Sequence, residues 1–130
     1  MLMINEIELQ AVSTMGAFDR YRYFIKRIAG QQEIWVLEDK RNNYAISEVD
    51  GNLLFSFWSD REFTYSCWNN EWKNYTPVNL NLEQLESDIF PIIERNNYLM
   101  DIFPVNNLAG FVVTLDEFLH DLNNELENYE

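Results

Sequence analysis

The chain has 130 residues, the size of one domain, with 47% hydrophobic and 15% aromatic residues. A domain of this length buries roughly two-thirds of its unfolded surface, so it needs no metal or disulfide staple. That supply of core residues argues against disorder, despite a net charge of -13. Cys67 is the single cysteine, which excludes an internal disulfide and points to a reducing cytoplasm.

Asn5 is placed to cap a first short helix carrying Ile7, Ala11, Val12 and Met15 at helical spacing, with Gly16 as its end. No basic segment followed by an apolar run opens the chain, so no signal peptide is expected, and no run is long and apolar enough for a membrane helix. A second helix is predicted from Ala17 to Ala29, with Phe18, Tyr21, Ile25 and Ile28 as its apolar stripe and Gly30 as its stop. Its other face holds Arg20, Arg22, Lys26 and Arg27, four of the nine basic residues. This face either pairs with the protein's own acidic C-terminal helix or meets a partner.

Three strands follow: Glu33–Asp39, Tyr44–Val49 and Leu53–Trp58. Asp50-Gly51 is a strong hairpin dipeptide, because both central residues of that turn want positive φ. Two short connections in succession predict an antiparallel meander. Ser59 with Glu62 then has the spacing of a capping box, ahead of a helix carrying Phe63, Cys67 and Trp68. The same strand-to-helix step recurs at Asn81–Gln84, after a strand over Pro77–Leu80, and at Thr114–Glu117, after a strand over Gly110–Val113. Pro91 should kink the middle helix or restart it, and Asn96-Asn97 closes that helix before the strand Tyr98–Phe103. Asn106-Asn107 falls in the next loop. These elements give an α+β class: one domain over residues 1–130, with a mixed, largely antiparallel sheet and helices packed on it.

Charge is segregated. Residues 83–130 hold eleven acids against one base, Arg95. Nucleic acid and anionic membrane are poor partners for that surface, whereas a basic protein is favoured. One His and one Cys cannot build a Cys/His zinc site, and no cofactor is expected. Asp116, Glu117 and Asp121 at helical spacing read as a solvated helix face rather than a metal site. Cys67 reads as a buried structural thiol, His120 as an exposed helix residue, and the isolated glycines form no phosphate loop. No catalytic set is visible. The candidate partner-binding residues are therefore Trp72, Tyr75, Asp116, Glu117, Asp121, Glu125, Arg20 and Arg22. Trp and Tyr are chosen as hot-spot types, and polar neighbours make Trp72 the candidate for exposure.

The runs Arg20–Lys26 (RYRYFIK), Glu33–Leu37 (EIWVL), Phe57–Ser59 (FWS) and Glu71–Val78 (EWKNYTPV) resemble a bacterial family known only as domain of unknown function 2750. The resemblance spans about residues 5–127 and is most specific in the second helix and in Trp72, Tyr75 and Pro77. It implies no activity and no catalytic residues. A looser likeness to the N-terminal domain of SseB-type bacterial proteins, through the late Val-Val-Thr step into the last helix, implies an α+β fold and a protein-interaction role. The expectation is a cytoplasmic, non-catalytic protein-binding domain, such as an immunity or antitoxin-like inhibitor of a basic partner. The alternatives are a small-molecule-binding domain or enzyme with a carboxylate or aromatic site, and a homo-oligomeric scaffold joined through an edge strand.

Overall fold

Asn5 caps the first helix, α1 (Glu6–Ser13), its side-chain oxygen accepting the Glu8 N–H at 2.8 Å. These elements belong to a computed structural model that describes residues 5–67, 72–105 and 109–129. Within α1, Val12 is buried, and Leu9 and Met15 pack beside the core, while Ile7 is 83% exposed. Of the expected stripe, Val12 and Met15 thus face inward, while Ile7 and Ala11 are exposed and Leu9 takes the inner place. Helix α2 (Ala17–Gln31) continues through Gly30 and ends where Gln32 turns left-handed at φ 60, its N–H donating to the Ile28 carbonyl. The amphipathic face of α2 buries Tyr21, Phe24, Ile25 and Ile28, but leaves Phe18 53% exposed.

The strands form two sheets. Strand β1 (Glu33–Glu38) pairs antiparallel with β4 (Thr76–Asn81), in the register Glu33–Asn81 to Glu38–Thr76. The other four strands lie in the order β2 (Ile46–Val49), β3 (Asn52–Phe57), β5 (Leu99–Ile102), β6 (Phe111–Val113). The β3–β5 pairing is parallel and the other two are antiparallel. The β2–β3 hairpin turns at Asp50 and Gly51, with φ of 51 and 83, as its turn chemistry dictates. The expected meander over three successive strands is corrected. β1 takes β4 as its ladder partner and touches the larger sheet at two isolated bridges, Trp35–Trp58 and Glu38–Tyr44. The fold is α+β, with largely antiparallel pairing.

Two of the three strand-to-helix steps carry reciprocal capping boxes. Asn81 and Gln84 exchange bonds at the start of α4 (Leu82–Gln84), and Thr114 and Glu117 do so at α6 (Leu115–Leu126). The third differs. α3 (Arg61–Thr64) starts after Asp60, whose carboxylate makes no cap bond and instead takes a bidentate ion pair from Arg27, 2.8 Å at its shortest. Ser59 donates to that same carboxylate. The carboxylate is thus committed to Arg27 and Ser59 rather than to the helix terminus. A 3₁₀ turn, Tyr65–Cys67, follows α3, and Trp68 lies outside the described residues.

Pro91 is accommodated by a π turn. Leu85–Ile89 winds with the Phe90 N–H bonded to the Leu85 carbonyl, and α5 (Phe90–Asn96) then starts with Pro91 in its first turn. The wider turn absorbs the proline where its N–H is not needed. Asn97, at φ 55, closes α5. Asn106 and Asn107 lie outside the described residues.

The core is one hydrophobic cluster running from Val12 to Leu122, with Phe24, Phe55, Phe57, Trp58, Phe63, Phe103 and Phe118 fully buried. Phe103 holds φ 69, a strained value for a bulky residue. Three contacts hold it there. Its N–H donates to the Phe57 carbonyl, its carbonyl accepts from Arg20 Nε, and its ring lies 4.5 Å from that of Phe63.

Candidate functional site

A groove of about 400 Å³ lies between α2 and α6. Positions 18, 21, 22, 25 and 26 of α2 form one wall, and positions 121, 124, 125 and 128 form the other. Both sets follow the i, i+3, i+4, i+7 spacing, so each wall is one continuous face, the second running from α6 into the 3₁₀ turn Glu127–Tyr129 that follows it. Its floor is Tyr21 and Ile25, both buried. Tyr21 donates its hydroxyl to Asp121 Oδ2 at 2.6 Å, tying the helices together. Burial, and then that carboxylate, push the Tyr21 phenol up, so it stays a donor. At one end Phe18 stands edge-on to Phe111, with ring centroids 5.2 Å apart. At the other, the Tyr129 hydroxyl reaches the Lys26 carbonyl at 3.5 Å.

The lips carry opposite charges. Arg22 and Lys26 are exposed on α2, and Asp121 and Glu125 are half-buried on α6. Among the described residues the one ion pair within 4 Å is Arg27–Asp60, so the lips do not close on one another. The groove therefore offers an aromatic edge, an apolar floor and both signs of charge. That arrangement suits binding.

The basic face expected on α2 is divided. Arg20 is 4% exposed and donates to the backbone carbonyls of Met15, Phe103 and Ala109, so it is an interior residue and not a partner contact. Arg27 belongs to the Asp60 pair. Only Arg22 and Lys26 face the groove. Trp72 is also corrected: it is buried, edge-on to Trp58 at 6.1 Å, although Lys73 and Asn74 beside it are exposed. The polarity of neighbours in a short turn does not fix where the middle ring points. Tyr75 is half-buried and lines a different cleft. The structure brings Arg22, Asp121 and Glu125 together. Asp116 and Glu117 lie on the first turn of α6, with Glu117 engaged in the cap. Phe18, Lys26 and Asn124 complete the groove. Phe18 reads as core from spacing alone, and the signal that would have placed it here is the matching register of the two helices.

Cys67 is buried, with its thiol 3.3 Å from the Pro104 carbonyl, which also accepts from Trp58 Nε1 at 2.8 Å. His120 is exposed on α6 beside Asn124, 3.2 Å away. Among the described residues no three His, Cys, Asp or Glu side chains converge as metal ligands, and no helix is long and apolar enough to cross a membrane.

Residues 21–122 match the family described as protein of unknown function (DUF2750), and the chain belongs to that family. The match covers most of the stretch that carries the resemblance; of the groove it contains Tyr21, Arg22, Ile25, Lys26 and Asp121, and leaves out Phe18 and three of the four residues of the second wall. The likeness to SseB-type domains finds no support in the comparisons. A search of curated proteins returned no match.

Proposed function

We propose that this member of the DUF2750 family is a non-catalytic protein-binding domain that docks its partner in the α2–α6 groove. One observation carries the reading: an exposed Phe18 stands at the mouth of a groove whose charged lips are not paired across it. Aromatic anchors ringed by polar groups are the common form of an interface hot spot. The partner presents an apolar side chain to Phe18 and the floor, and a cation to Asp121 and Glu125. The acidic C-terminal third extends that attraction and favours a basic protein. An immunity-like inhibitor of a basic toxin is the specific form of this reading, and it acts in the cytoplasm.

The test is affinity capture from native cytoplasm at low and high salt, with the unaltered chain beside a Phe18→Ser/Glu125→Gln variant. Both substitutions lie at the groove surface and leave the Tyr21–Asp121 bond in place. A basic partner held by the unaltered chain, weakened by salt and at least about tenfold poorer on the variant, supports the groove. Equal capture by both chains refutes it.

A further inference from the structure

The Glu38–Thr76 pairing that ends the β1–β4 ladder brings two loops together. One is the turn after β1, and the other is the approach to β4. Between them lies an open cleft of about 750 Å³, which shares no lining residue with the α2–α6 groove. Lys40, Arg41 and Lys73 line it, all exposed, and they are three of the nine bases of a chain with net charge -13. None of them forms an ion pair within 4 Å among the described residues.

Asp39 is the one acid in the lining, and its oxygens are already engaged. Oδ1 accepts the backbone N–H groups of Arg41 and Asn43, each at 2.9 Å, and Oδ2 accepts Asn43 Nδ2. The Asn43 and Arg41 N–H groups hold this carboxyl below its usual range. Asp39 thus serves the turn, which also needs Asn42 at φ 64. It presents Lys40 and Arg41 outward, and its own charge offsets part of theirs, leaving three bases against one acid in the lining. Against the protein's overall repulsion of anions, this is a local well of positive potential with an aromatic wall in Tyr75.

We propose that this cleft binds a small anion with at least two negative charges, of the pyrophosphate or phosphate-ester class. Arg41 supplies the forked donor that such oxygens favour, Lys40 and Lys73 supply point charges, and Tyr75 gives a planar substituent a face to rest on. The site is independent of the protein partner proposed for the groove.

The full chain is titrated with inorganic pyrophosphate, and separately with adenosine diphosphate, at constant ionic strength, and followed by amide NMR. The expected result is saturable shifts confined to residues 39–43 and 73–76. Arg41→Gln should weaken binding about tenfold, and Lys40→Gln/Arg41→Gln/Lys73→Gln should abolish it. Tighter binding of the nucleotide, lost in Tyr75→Leu, identifies an organic phosphate ester as the ligand. Equal binding of both identifies the inorganic anion. The three substituted positions are exposed loop residues, so an unchanged amide spectrum elsewhere will show that the variant folds. Non-saturating shifts, or shifts that persist in the triple variant, overturn the proposal.

Discussion

Asp101 sits on β5, 3% exposed, and Asp101→Asn should make the protein more stable at neutral pH. Burial pushes the carboxyl up to about 6, against the opposing pull of the Gly110 N–H and, more weakly, Arg20. The rise from an ordinary ~3.9 corresponds to roughly 3 kcal/mol against the ionised form. The sign follows from proton counting. Between the two values the folded state holds more protons than the unfolded state, so stability falls as pH rises through this window and levels off above it. The introduced amide mimics the neutral acid and can still accept the Gly110 N–H, which lies 2.7 Å from Oδ1. Its cost would be an unopposed Arg20, but that guanidinium is held by three backbone carbonyls and makes no ion pair with Asp101 within 4 Å. The gain should therefore win, by about 2 kcal/mol at about pH 8, shrinking to nothing below about pH 4. Urea unfolding of Asp101→Asn and the unaltered chain across that pH range measures it, as a midpoint shift of about 1 M at the alkaline end. A variant less stable at the alkaline end would show that the Arg20–Asp101 attraction dominates, and the reasoning would fail.

Two substitutions of glycine should act in opposite directions. At Gly110 an added Cβ would collide with the Ile102 carbonyl oxygen and lie 2.8 Å from Asp101 Oδ1, so Gly110→Ala must displace backbone. A loss of about 3 kcal/mol or more is expected from overpacking together with the strained Asp101 bond, read as a fall in thermal midpoint; an unchanged midpoint would contradict the close approach. At Gly30, inside α2, an added Cβ would meet only the Tyr129 side chain, its hydroxyl nearest at 3.4 Å. Gly30→Ala should add about 0.5–1 kcal/mol, visible as a higher urea midpoint; a lower one would mean that the helix does not run through this position.

What could be read from the sequence is what short-range chemistry decides. The Asp50-Gly51 hairpin and the caps at Asn5, Asn81 and Thr114 each depend on residues no more than four apart, and each stands where its pattern put it. The β1–β4 ladder joins segments 38 to 48 positions apart, Glu38–Thr76 and Glu33–Asn81, and nothing local in β1 favours β4 over the nearer β2. The step into α3 shows the two levels in conflict: local spacing makes Ser59 the cap partner of Glu62, but Ser59 donates to Asp60, whose carboxylate is held by Arg27, 33 residues away, and the helix starts after Asp60 with no side-chain cap bond. For the candidate site, the acidic wall of α6 was legible as a charged helix face. The opposite wall was not, because arginine marks surface by type, yet Arg20 is interior, and Phe18 marks core by type, yet it is exposed.

The Arg20 side chain carries a further consequence, for the order in which a ribosome delivers this fold. Two of its three carbonyl acceptors, on Phe103 and Ala109, lie 83 and 89 residues downstream. At ordinary elongation rates that gap lasts on the order of ten seconds. During that interval α2 can coil locally, but its guanidinium has only water and the Met15 carbonyl to answer it, and water there opposes burial. The buried seat of Arg20 on α2 is therefore complete only once the strained turn at Phe103 and the residues up to Ala109 have been synthesised.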